Sequence, residues 1–249
     1  MKKVFYFMAI LATVAAVSCK KDDNSSKKEN KDTNEPEVEY VAPIAIDGTF
    51  DDWAKLPAAN VASATCNPDA SDTALKLVKV YADEVFVFVY IEWDKEQITY
   101  ESGVEHVPFH MYINGDGKSD TGGYSDQWSD ACSDLLLEGF LYDENGIASY
   151  DPGAYAWIGE TNAAGWGWEP DGENVLASGS GLCKGAGVEG KYEIQLTREL
   201  YPLGKLADTF SIGFDIQQAW STVGLLPNGA ATEDNPAGTV PSLQVVTVK

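Results

Sequence analysis

The chain has 249 residues, with 17 Lys and Arg against 39 Asp and Glu and a formal net charge of −22. Such an acidic surface repels phosphate backbones, so no nucleic acid is expected as a partner, and two histidines, His106 and His110, are too few for a multi-histidine metal site. With 23 Gly, 11 Pro, 28 aromatics (7 Trp, 12 Tyr, 9 Phe) and a single arginine, Arg198, the composition points to a turn-rich β protein rather than a helical bundle.

The first element is a targeting segment over residues 1–18. Lys2 and Lys3 precede an apolar run over 4–17, too short for an ordinary membrane span. The run ends Ala16, Val17, Ser18, Cys19, which resembles a bacterial lipoprotein signal and implies a lipid on Cys19 after cleavage. Lys20, Lys21, Asp22 and Asp23 resemble the acidic export tag of Bacteroidetes surface lipoproteins. The implied location is the outer membrane, exposed at the cell surface, with membrane contact through the lipid anchor only. Residues 20–39 carry five Lys, seven acids and no aromatic, so they bury too little apolar surface to fold. Residues 19–39 are therefore expected to be a lipidated, disordered tether. Lysines and acids balance at seven each before Tyr40, which leaves the whole net charge on residues 40–249. That stretch reads as one domain.

Along it, short β-branched and aromatic runs alternate with turn residues, without a sustained 3.6 period. The spacing predicts a hairpin from 75–81 and 85–93, whose second arm is apolar on both faces and so covered on both sides. Alternation places Phe86, Phe88 and Tyr90 on one of those faces and Val85, Val87 and Val89 on the other. Further strands are expected at 109–113, 135–142, 155–159, 191–197, 210–217 and 243–248, separated by N-G-D-G, D-E-N-G and P-D-G-E turns. Repeated short strands predict an all-β, two-sheet antiparallel β-sandwich of immunoglobulin-like or jelly-roll-like type. Cys66, Cys132 and Cys183 allow at most one internal disulfide, with three possible pairings.

The loop after residue 113 carries Asn114, Asp116, Asp120, Asp126 and Asp130, closing toward Asp134. Clustered hard oxygens on glycine-rich backbone are what a structural calcium ion requires. It is not an EF-hand, because Gly117 at the hinge position would put Tyr112 at the first ligand position. No organic cofactor is expected.

Sugar recognition needs flat apolar surfaces for pyranose C–H groups and planar amides or carboxylates for hydroxyls. Trp157, Trp166 and Trp168 stand with Glu160, Asn162 and Asp171, and in an extended W-G-W segment Trp166 and Trp168 would point the same way. Gly165 and Gly167 flank Trp166 and leave its ring little local cover. Trp128 and Trp220 could complete a clamp. Trp166 is the strongest of these candidates.

D-G-T-F-D-D-W at 47–53, the hairpin sequence at 80–94, F-H-M-Y-I-N-G-D-G-K-S-D at 109–120, K-Y-E-I-Q-L-T at 191–197 and F-S-I-G-F-D-I-Q at 210–217 together resemble family 9 carbohydrate-binding modules, within the wider DOMON-like group. The resemblance spans roughly residues 43–249. It implies a sugar-binding sandwich, working beside polysaccharide-degrading enzymes, with calcium as a structural ion. The chain departs from that modular pattern in carrying no attached catalytic domain. The expected role is non-catalytic capture of polysaccharide or oligosaccharide for degradation and uptake, beside neighbouring surface glycan-uptake proteins. The alternatives are an interaction sandwich without a glycan, a glycoside hydrolase built on Glu138, Glu160 or Glu169, and a haem domain using His106 and Met111.

Overall fold

The structure is a computed structural model, and it describes residues 40–98, 107–124, 127–130, 132–143, 146–170, 183–200, 203–219 and 221–249. One folded unit runs from Val41 to Lys249. Its strands in chain order are β1 (Ala62–Thr65), β2 (Leu75–Ala82), β3 (Phe86–Trp93), β4 (Val107–Asn114), β5 (Leu135–Asp143), β6 (Gly146–Ile147), β7 (Gly153–Trp157), β8 (Trp168–Pro170), β9 (Cys183–Val188), β10 (Lys191–Thr197), β11 (Glu199–Leu200), β12 (Gly204–Lys205), β13 (Thr209–Gln218), β14 (Ser221–Leu226) and β15 (Leu243–Val246). Helical structure among the described residues is confined to short 3₁₀ turns such as Asp51–Lys55.

The predicted hairpin is β2 and β3, closed by Asp83, whose carboxylate accepts the N–H groups of Val85 and Phe86 at 2.8 Å each. An aspartate that bonds its own backbone in this way fixes a tight turn without glycine. The smaller sheet has the order β1, β2, β3, β10, β9. The larger has the order β14, β13, β4, β5, β7, β8, with β15 also on β13 and β6 on β5. All these pairings are antiparallel. The molecule is therefore an all-β, two-sheet antiparallel sandwich.

Its core lies between the sheets: Val87, Val89, Ile91 and Ile194 of the smaller meet Phe109, Met111, Ile113, Leu137, Phe214 and Ile216 of the larger. The opposite face of β3 is covered too. Phe88 and Tyr90 pack there with Ile44, Trp53 and Tyr81, which is why β3 is apolar on both sides.

The structure departs from the strand expectations where side chains are small. β9 reads C-K-G-A-G-V and shows no apolar alternation, yet it pairs fully with β10. Its glycines are a packing requirement, since a Cβ at Gly185 would lie 2.4 Å from the Tyr192 hydroxyl and one at Gly187 2.4 Å from the Lys191 carbonyl oxygen. The strand expected at 155–159 runs over Gly153–Trp157, because pairing with β5 sets Glu138 opposite Gly153. Cys66, Cys132 and Cys183 are all free thiols. Burial pushes the Cys183 thiol up to about 12, so it stays protonated and unreactive at neutral pH.

Candidate functional site

Alternation along the central strands of the larger sheet sends every second residue away from the core. Register then assembles these residues into rows. One row is Asp215, His110, Glu138 and Gly153, and the next is Gly213, Tyr112, Leu136 and Tyr155.

The second row underlies an aromatic block. Tyr112 stacks on Tyr124 with ring centres 4.8 Å apart, and Trp128 and Trp168 lean on Tyr112 at 5.3 and 6.0 Å. Trp128 fits because residue 213 is glycine: a Cβ there would sit 2.5 Å from the indole. Its N–H donates to the Pro227 carbonyl at 3.1 Å. Trp157 lies against Gly123, Gly159 and Gly167, with 2.2–2.7 Å from each imagined Cβ to the ring. It packs edge-on to Trp168 at 5.0 Å.

The first row is polar. His110 Nδ1 is 2.9 Å from Asp215 Oδ1, and His110 Nε2 is 3.7 Å from Glu138 Oε2. The other Asp215 oxygen accepts from Gln217 at 3.0 Å, Thr222 at 3.2 Å and Gln127 at 3.3 Å. Burial alone would lower the His110 pKa, but the bond to Asp215 and the charges of Asp215 and Glu138 outweigh it and raise the value. His110 and Asp215 are buried, whereas Glu138 keeps about a fifth of its side chain in solvent. Glu138 is thus the carboxylate of this row that a ligand can reach. Beside it, burial and then the charge of Glu138 raise the Tyr155 pKa, so its hydroxyl is a protonated donor at neutral pH.

The sequence-predicted residues divide on this frame. Trp166 is 66% exposed and meets Tyr155 edge-on at 6.4 Å. Trp168 and Trp128, at 4% and 2%, are sealed in the aromatic block, and Trp157 is half-buried there. Trp166 and Trp168 therefore do not share a direction: β8 starts only at Trp168, and Trp166 precedes it in irregular backbone. Glu160 and Asn162 are exposed on the β7–β8 connection. Trp220 and Asp171 lie outside the described residues.

Sequence reasoning passed over Tyr155, weighed Glu138 only for hydrolysis, and set His110 aside as one of too few histidines for a metal site. The signal for His110, Asp215 and Glu138 is present in F-H-M-Y-I-N, F-D-I-Q and L-L-L-E-G-F, where a polar side chain interrupts an apolar strand. Met111 lies in the core on the face opposite His110, and His106 lies outside the described residues.

In the acidic loop, Asn114 Oδ1 accepts the Gly117 N–H at 2.9 Å and its amide donates to the Lys118 carbonyl at 2.8 Å. Asp116 accepts from the Lys118 backbone at 2.9 Å, from Lys118 Nζ at 3.0 Å and from the Thr121 hydroxyl at 3.0 Å. Asp130 accepts the Ser242 hydroxyl at 2.7 Å and its N–H at 3.0 Å. Asp120 is exposed, and Asp126 lies outside the described residues. Among the described residues no three His, Cys, Asp or Glu side chains are grouped to hold a metal ion. Of the described carboxylates in this set, Asp116 and Asp130 are turned to local donors, whereas Asp120 faces solvent.

No family model matches the chain, and no curated protein matches it. Among solved structures, it is similar to a carbohydrate binding module family 9 from Caldicellulosiruptor kristjanssonii in complex with cellotriose, at 12% identity and a TM-score of 0.39, over 84% of this chain and 90% of that one.

Proposed function

We propose that the chain is a non-catalytic surface lipoprotein, anchored through Cys19, that captures a polysaccharide or oligosaccharide on the outer face of the larger sheet. The observation that supports this most is Trp166. Its indole is two-thirds exposed and stands edge-on to Tyr155, whose hydroxyl feels the charge of Glu138, the accessible carboxylate of the neighbouring row. The exposed ring offers a face for sugar C–H groups, Tyr155 a hydroxyl donor, and Glu138 an acceptor for sugar hydroxyls. His110 and Asp215 sit beneath as positioning residues. They hold Glu138 on its row through a charge-linked chain that is closed from the other side by Gln127, Gln217 and Thr222.

The test is a binding screen over xylan, arabinan, pectin and host glycans with the full chain and Trp166→Ala. Saturable binding that the variant loses at an unchanged melting temperature is the expected result. Failure of every polysaccharide, with tryptophan fluorescence unchanged, overturns the reading. A second reading has one observation in its favour: Ile158, 63% exposed, bonds through its N–H to the Gly167 carbonyl and so lies beside Trp166. Two neighbouring apolar side chains also suit a protein partner, such as a neighbouring glycan-uptake protein, and co-purification lost in Ile158→Asp but retained in the presence of glycan would favour it.

A further inference from the structure

Two residues beyond the aromatic row, the same face carries Gln244, Ser211 and Asn114, side by side on β15, β13 and β4. These three line a cavity of about 700 Å³, with Lys118, Asp130 and Asn162 among its other lining residues. That volume lies within the range of small-molecule sites, about 300–1,000 Å³. At about 3.3 Å per strand residue, Asn114 stands about 13 Å from His110 along β4. The lining of the cavity includes none of Glu138, Tyr155 and Trp166, so it is distinct from the Trp166 rim, although Asn162 shares the β7–β8 connection with Trp166.

The charged groups of the lining are already engaged. Lys118 Nζ pairs with Asp116 at 3.0 Å, and Asp130 takes the Ser242 hydroxyl and N–H. What remains is neutral and serves as both donor and acceptor. The side chains of Ser211 and Gln244 make no hydrogen bond among the described residues, and the Asn162 amide nitrogen has none either. Unlike the rim, the cavity has no exposed aromatic ring, because Phe210 at its base is buried in the core. A set of amides and hydroxyls without a net charge and without a stacking surface matches a neutral polyhydroxylated molecule held edgewise by hydrogen bonds.

We propose that this cavity is a second binding site, for a neutral saccharide or polyol, using Ser211, Gln244 and Asn162 as its hydrogen-bonding groups. It does not depend on the Trp166 site: either can exist without the other. The test follows side-chain amide signals of Asn162 and Gln244 by NMR while the full chain is titrated with cellobiose, xylobiose, maltose and glycerol, and separately with digalacturonate. At least one neutral ligand is expected to shift both amides saturably, in the wild type and equally in Trp166→Ala. Gln244→Ala should weaken that binding about tenfold, the equivalent of one lost ligand hydrogen bond, and Ser211→Phe should abolish it by filling the floor. Should Ser211→Phe fail to fold, Gln244→Ala and the amide shifts decide alone. The proposal is overturned if no neutral ligand moves the two amides, if Trp166→Ala removes the shifts, or if digalacturonate moves them as strongly as the neutral ligands. Loss of glycan binding in Trp166→Ala with the amide shifts intact would separate the two sites.

Discussion

The indole N–H of Trp53 donates to Glu193 Oε2 at 3.2 Å, across 140 residues of chain. The other oxygen of the same fully buried carboxylate accepts the N–H groups of Asp47 and Gly48 at 2.9 and 2.8 Å. The opening D-G-T-F-D-D-W segment is thus tied to the middle of β10 by one side chain. Trp53 lies on the outer surface of the smaller sheet with Phe88 and Tyr90, where the Glu193 carboxylate meets three donors that would otherwise be left unpaired.

Glu193→Ala is therefore expected to destabilise the fold by about 3–5 kcal/mol, the cost of leaving buried partners unpaired. Glu193→Gln should cost less, since its carbonyl oxygen still serves the two backbone donors while its amide N–H₂ opposes the indole N–H. Urea unfolding of the three proteins measures the order. Equal stability of Glu193→Ala and wild type would refute it.

Arg198, the only arginine, is also buried and donates to three backbone carbonyls: Asp83 at 3.2 Å, Leu206 at 2.6 Å and Ala207 at 2.8 Å. It ties the β2–β3 turn to the segment before β13. A lysine has one point of charge where the guanidinium has a planar fork. Arg198→Lys should lower stability by about 2–4 kcal/mol through carbonyls left unmet, with the full effect seen as an earlier thermal midpoint.

The His110 and Asp215 pair predicts a pH signature. The folded-state pKa of His110 lies above its ordinary value of 6.5, so protonation favours the folded state. The contribution is complete below the unfolded value and is lost as the pH rises through the raised one. His110→Gln should consequently cost more stability at about pH 5.5 than at about pH 8.5. An identical difference from wild type at both pH values would show that the pair carries no linked proton.

The tryptophans should separate by burial. Trp166→Ala should leave stability within about 0.5 kcal/mol, as for exposed positions, while Trp128→Ala should cost about 3–5 kcal/mol by emptying a packed site. Thermal melts beside the glycan screen read both. A large loss of stability in Trp166→Ala would show that its ring is structural.

Because Asp116 and Asp130 already bond to Lys118, Thr121 and Ser242, chelator is expected to leave the melting temperature unmoved. A rise of several degrees on adding calcium would show that an ion displaces those donors, as the sequence-based expectation of a structural calcium requires.

Sequence legibility followed side-chain size. β3 and β10 were readable because large apolar side chains alternate or run continuously, whereas β9 is interrupted by two glycines and shows no apolar alternation, and the alternation of β1 rests on alanines too small to mark a buried face. Trp166 was readable as an exposed ring because its two glycine neighbours offer no local cover. The burial of Trp168 was not, since the rings that pack on it belong to Tyr112 and Tyr124, nor was that of Trp128, whose ring is admitted by Gly213 and whose N–H is met by Pro227, far along the chain.

Composition, alternation and turn residues by themselves determined an acidic, all-β, two-layer domain, because those are local preferences repeated along the chain. Only the tertiary structure decided which rings face a ligand and that Asp215, His110 and Glu138 share one row. Strand order and register bring together residues that the chain separates by up to about a hundred positions, and no local pattern encodes that pairing.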